Sequence, residues 1–111
     1  MNFVKLAADV ATHTDDCRAY RIGAVAVRRD GVIVTAANIP SQHQMLACHA
    51  EARVLRKAGK GSTLYVVRVM PGGFYGLARP CSGCAGLIRA KRVKQVIYTL
   101  GVDELLGSIT F

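Results

Sequence analysis

The chain has 111 residues and a formal net charge of +8, with 51% of its residues apolar and 20% charged. That length points to a single domain over residues 1–111 with a real hydrophobic core, and the composition excludes a disordered chain. No apolar run approaches the roughly 20 residues of a membrane span. Lys5 and Asp9 interrupt the opening MNFVKLAADV, which excludes a signal peptide and predicts a cytoplasmic protein with reduced thiols. A basic chain this small attracts phosphate-bearing molecules, whether free nucleotides or single-stranded nucleic acid. A basic surface without such a partner is equally compatible with the charge.

Taken in order, residues 3–14 place Phe3, Val4, Ala7, Val10, Ala11 and Thr14 on one helical face and predict an opening amphipathic helix. IGAVAVR (22–28) and VIVTAA (32–37) are short, apolar and β-prone. They flank Arg29-Asp30-Gly31, whose Asp-Gly pair predicts a hairpin turn. NIPSQHQ (38–44) has loop composition. Residues 47–58 predict a helix that stops at Gly59, with Ala50, Val54, Leu55 and Ala58 facing a core. TLYVVRVM (63–70) is the strongest strand signal, and PGGFYGLAR is a Gly-rich connection. Residues 81–91 predict a helix with Cys84, Leu87, Ile88 and Lys91 on one face, although Gly83 and Gly86 oppose it. Residues 95–100 predict a further strand, and the eleven residues that follow are too few for a full helix plus strand. The order α-β-β-α-β-α-β predicts an α/β fold, with an initial hairpin, later strands parallel, and helices on the faces of a mixed sheet.

His49-Ala50-Glu51 and Pro80-Cys81-Ser82-Gly83-Cys84 both fall at predicted helix starts. Cys81 and Cys84 are one turn apart, and Pro80 suits a first turn. His49 and Glu51 diverge along a helix flank, so they share a site only at its end, where backbone N–H groups favour anions. One imidazole and two thiolates are one ligand short of a closed structural zinc site. Catalytic zinc uses three protein ligands and a water, whose pKa it lowers to about 7. Glu51 is then a candidate proton carrier. Each motif alone has plainer readings. His-x-Glu is a common surface pattern, and Cys-x-x-Cys suits a redox pair, half a structural zinc site or two buried thiols. Cys48 and Cys17 are expected to be small core residues.

The two motifs together resemble the paired signature of the cytidine and deoxycytidylate deaminase superfamily, whose general mechanism is well described. Arg21-Ile22-Gly23-Ala24-Val25, TLYVV and VKQVIY resemble its strand segments, so the likeness spans residues 18–100. The resemblance implies a three-layer α-β-α cytidine-deaminase-like fold. It implies Zn2+ held by His49, Cys81 and Cys84, and Glu51 as the catalytic acid–base. It also implies substrate contacts from Asn38 and from the backbone at Ala50. The implied reaction replaces an amino group on a base with a carbonyl, through attack of an activated water. A histidine as first ligand is similar to deaminases of deoxycytidylate, guanine, tRNA adenosine and polynucleotide cytosine.

Three features depart from the family pattern. The 70–80 connection is long and reads either as a plain surface excursion or as a loop whose Phe74 or Tyr75 stacks on a base. The helix after the cysteines ends in a basic run, Arg89, Lys91, Arg92 and Lys94. The sequence stops soon after Tyr98-Thr99, where members often add a helix and a strand, so an open sheet edge and a homo-oligomer are expected. The favoured activity is deamination of a free cytosine nucleotide such as dCMP. The alternatives are a deaminase of cytosine or adenine in single-stranded DNA or RNA and a non-catalytic zinc-stabilised binding module. A disulfide-exchanging redox protein is more distant still.

Overall fold

The structure is a computed structural model and describes residues 2–13, 21–39 and 48–111. Thr14, Cys17, the 40–44 part of the expected loop and Ala47 lie outside the described residues. Helix α1 (Phe3–Thr12) starts where the Asn2 side chain accepts a hydrogen bond from the Lys5 backbone N–H at 3.0 Å, an N-cap. Strands β1 (Arg21–Val27) and β2 (Ile33–Ala37) pair antiparallel, from Gly23 opposite Ala37 to Val27 opposite Ile33. Asp30 Oδ1 accepts from the Val32 N–H at 3.1 Å and fixes the predicted turn. Then come α2 (Ala50–Ala58), β3 (Thr63–Val69), the two-residue β4 (Tyr75–Gly76), α3 (Ser82–Ala90), β5 (Gln95–Thr99) and β6 (Leu106–Thr110).

The sheet runs β2-β1-β3-β5-β6, with β4 paired to the end of β3. Strand β1 is antiparallel to both β2 and β3, so β2 and β3 share a direction with β1 between them. Strands β3 and β5 are adjacent and parallel, while β6 returns antiparallel on β5. Side chains alternate across the sheet. On one face Ala24, Ala26, Leu64, Val66, Val96 and Tyr98 join Val54, Leu55, Ala58 and Ile88 of α2 and α3 in a buried cluster. On the other face Val25, Val67 and Val69 pack with Ala7, Ala8 and Ala11 of α1. The result is three layers around a mixed sheet, as the sequence predicts.

Four expectations are corrected. The second helix starts at Ala50, not at residue 47, because His49 is extended and caps it while Cys48 before it is in a 3-10 conformation. Pro80 lies ahead of α3 rather than in its first turn: Cys81 is the N-cap, its sulfur accepting from the Cys84 N–H at 3.4 Å. The Gly-rich connection contains β4, and the last eleven residues contain β6.

Helix α1 lies directly on Gly23. A Cβ added there would stand 2.0 Å from the Ala7 carbonyl oxygen and 2.7 Å from the Ala11 nitrogen, both backbone atoms that cannot swing aside. Gly23→Ala should therefore cost about 1–3 kcal/mol or more, as overpacking does. At roughly 4–8 °C per kcal/mol for a domain of this size, thermal unfolding will show it. Strand propensity alone favours alanine, so an unchanged or raised Tm would mean that α1 does not rest there.

Candidate functional site

Helix α2 follows the carboxyl end of β2, and α3 follows the segment beyond the carboxyl end of β3. Because β2 and β3 share a direction, both helices begin on the same edge of the sheet. At the end of β2, Asn38 is buried. Its Oδ1 accepts from the Ile22 N–H at 2.8 Å, and its own N–H donates to the Ile22 carbonyl at 3.0 Å. The Ile39 N–H donates to the Cys48 carbonyl at 3.0 Å, which returns the chain to the β2 terminus just before His49. Arg53 donates to the Ala37 carbonyl and Lys57 to the Thr35 carbonyl, clamping α2 onto the outer strand. On the other side buried Thr99 donates through Oγ1 to the Gly76 carbonyl at 2.6 Å, and its carbonyl accepts from the Ala78 N–H at 2.9 Å. Those bonds tie the run into Cys81 to the end of β5.

His49 occupies the N-cap of α2 in extended backbone (φ −70°, ψ 146°) and makes no side-chain cap bond. Its ring meets the cysteines instead, with Nδ1 3.4 Å from Cys84 Sγ and 3.8 Å from Cys81 Sγ. The three donor atoms lie within 4.8 Å of one another, a group positioned to hold a metal ion. Zinc bonds of about 2.0–2.3 Å at tetrahedral angles place N and S ligands about 3.6 Å apart. The observed separations bracket that value, so these residues fit zinc. The converging helix N-termini favour thiolates there. In the metal-free chain burial pushes the Cys84 thiol up, with Glu51 and Cys81 adding to the shift. Cys48 is half-buried and is not among the three donors.

Glu51 sits in the first turn of α2 and is 4% exposed. Its Oε1 is buried and makes no hydrogen bond among the described residues. Burial raises its carboxyl above the ordinary range, partly opposed by a hydrogen bond to its own backbone and by His49. A buried, unbonded carboxylate oxygen costs stability and calls for a chemical reason. Ala50 is fully buried and opens α2, where a helix leaves backbone N–H groups without intrahelical partners.

Other expected pieces lie elsewhere. Tyr75 is half-buried and packs in the α1-side cluster, away from the metal donors, whereas Phe74 is 75% exposed at the tip of the β3–β4 turn. Arg89, Lys91, Arg92 and Lys94 gather at the far end of α3, a nine-residue helix about 13 Å long. The sequence reading missed the clamps. Arg53 and Lys57 carried the i,i+4 signal of one helix face, while Thr99 carried none.

Comparison with known proteins agrees with this geometry. A family model for the cytidine and deoxycytidylate deaminase zinc-binding region matches residues 1–100. A tRNA-specific adenosine deaminase from Buchnera aphidicola subsp. Schizaphis graminum is 27% identical over 103 residues, covering 93% of this chain and 67% of that one. Among solved structures, a cytidine deaminase from Burkholderia pseudomallei superposes with a TM-score of 0.75 at 18% identity, covering 97% of this chain and 89% of its own. One from Mycobacterium tuberculosis gives 0.64 at 20% identity, covering 86% and 80%. At such identities the superpositions establish the fold.

Proposed function

The chain belongs to the cytidine and deoxycytidylate deaminase zinc-binding family, and from that premise we propose that it converts cytosine to uracil on a free (deoxy)cytidine nucleotide such as dCMP. One observation carries the reading: three metal donors from two helix starts, with a buried carboxylate oxygen that makes no hydrogen bond among the described residues. His49, Cys81 and Cys84 would hold zinc, which would supply a water activated at neutral pH. Glu51 would take one proton of that water and pass it to the ring nitrogen, then take the second from the new hydroxyl group and pass it to the departing amine. Oxygen adds to the ring carbon, the C–N bond breaks, ammonia leaves, and a carbonyl results. Asn38, held by Ile22, and the backbone N–H at Ala50 position the sugar and the base. A closed structural site has no use for Glu51, which weighs against a purely binding role.

The basic charge, the tRNA-acting relative and the exposed Phe74 favour a second reading, a base within a single-stranded nucleic acid. Two arrangements weigh against it. The basic run stands a full helix length from the metal donors, and Tyr75 is turned to the opposite face of the sheet, so among the described residues no aromatic row leads inward. The cavity of about 510 Å³ beside Phe74 carries Asp103 and Glu104, which repel phosphate. Strand β6 is a sheet edge with Leu105 and Leu106 exposed beside it, the surface through which a homo-oligomer would form.

The test is ammonia release from cytosine, cytidine, dCMP, dCTP, guanine, a tRNA and single-stranded oligonucleotides. Turnover is expected on dCMP above the others. A polynucleotide substrate would instead lose affinity steeply with added salt. No release from any of them would overturn the proposal.

A further inference from the structure

Arg79 lies two residues before Cys81, on the run that carries the chain from β4 into α3. A residue before proline is held extended, and Cys81 is extended too (φ −67°, ψ 168°). Exposure alternates along this run: Leu77 out, Ala78 buried, Arg79 out, Pro80 half-buried, Cys81 out. In extended chain, residues two apart point to one side, with Cα atoms roughly 6–7 Å apart. Arg79 and Cys81 therefore share one exposed side of this run. The Ala78 bond to the Thr99 carbonyl keeps the run from turning over. Among the described residues Arg79 makes no ion pair and no side-chain hydrogen bond.

Resting on the deaminase reading above, we propose that Arg79 is a specificity residue that receives the phosphate of a free cytosine nucleotide. A base whose amino-bearing carbon sits at the metal donors must send its sugar and phosphate outward. Burying the phosphate is costly, so it stays at the mouth, where Arg79 stands. The guanidinium offers a planar fork matched to phosphate oxygens, and among the described residues no carboxylate has to be displaced first. Two other charged surfaces among the described residues do not compete: the 89–94 basic run is at the wrong end of α3, and the cavity by Phe74 is acidic.

The experiment uses the zinc-loaded full chain as wild type, Arg79→Ala and Arg79→Lys. It compares kcat and KM for dCMP and deoxycytidine, and calorimetric Kd values for the products dUMP and deoxyuridine. Arg79→Ala should raise KM for dCMP and Kd for dUMP about 10–100-fold, the range of a charge-assisted contact. The kcat on dCMP and both constants for the nucleosides should not change. Arg79→Lys should recover part of the loss, because it keeps the charge without the fork. Equal losses on nucleotide and nucleoside would overturn the assignment in favour of a structural role. An unchanged KM and Kd for the nucleotides would overturn it outright. If Arg79→Ala weakened a single-stranded oligonucleotide but not dUMP, the free-nucleotide assignment would fall. Wild type inactive on every cytosine substrate would sink the deaminase reading alone, since the dUMP and deoxyuridine binding arm still decides the role of Arg79.

Discussion

Cys84→Ala is expected to leave the purified protein without zinc and without deaminase activity. Cys84 is fully buried, 3.4 Å from His49 Nδ1, and Cys81 is tied to its backbone N–H. Removing it leaves two donors, and no other described His, Cys, Asp or Glu stands in the cluster to replace it. Loss of a second-shell contact already costs metal sites about 10–100-fold in affinity, so loss of a direct ligand should exceed that. Burial keeps the free Cys84 thiol protonated through neutral pH, so zinc must displace that proton. Affinity should accordingly fall about tenfold for each pH unit lost, for this proton alone. Zinc content by atomic absorption and titration against a chelating dye at several pH values measure both effects. Full zinc occupancy in Cys84→Ala would show that the metal is held elsewhere.

Glu51→Gln should separate chemistry from metal binding. The amide keeps the size of the side chain and cannot take a proton, so kcat should fall by about 10²–10⁴, the usual worth of a positioned acid–base. Zinc content should stay at the wild-type level, because Glu51 is not among the three donors. The metal-free protein gives a second signature. Burial raises the Glu51 carboxyl, so between its ordinary and its raised value the folded chain binds more protons than the unfolded one. Stability contributed by that proton is therefore lost as pH rises through this window. Metal-free Glu51→Gln should melt above metal-free wild type at alkaline pH, and the gap should close toward pH 4 as the wild-type carboxyl takes up its proton. A function-bearing charge kept at a cost in stability is what such a result would reveal. A variant with unchanged kcat would remove Glu51 from the reaction.

Local signals made much of this fold readable. Asp30-Gly31 between two β-prone runs gave the hairpin, and Ala50, Val54, Leu55 and Ala58 gave the buried face of α2. The three donors were legible because two short motifs each sat at a helix start. What escaped depends on partners distant in sequence. Strand β4 is two residues long and exists only through its pairing with Arg68 and Val69. Strand β6, LGSIT, opens with Leu, Gly and Ser and leaves only Ile109 and Thr110 as strong strand formers. It forms because Gly107 leaves room for the Tyr98 ring opposite, whose atoms a Cβ would meet at 2.6 Å. The position of β1 between β2 and β3 is a property of the whole sheet, written in no single segment. Helix α3 formed despite Gly86, which faces open space and so costs backbone entropy without a packing defect.

X-ray absorption at the zinc edge of the purified protein tests the coordination most directly. One nitrogen and two sulfur scatterers, completed by a single light atom from solvent, is the shell that His49, Cys81 and Cys84 require. A third sulfur or a second histidine in that shell, or a preparation that takes up no zinc, would contradict the account.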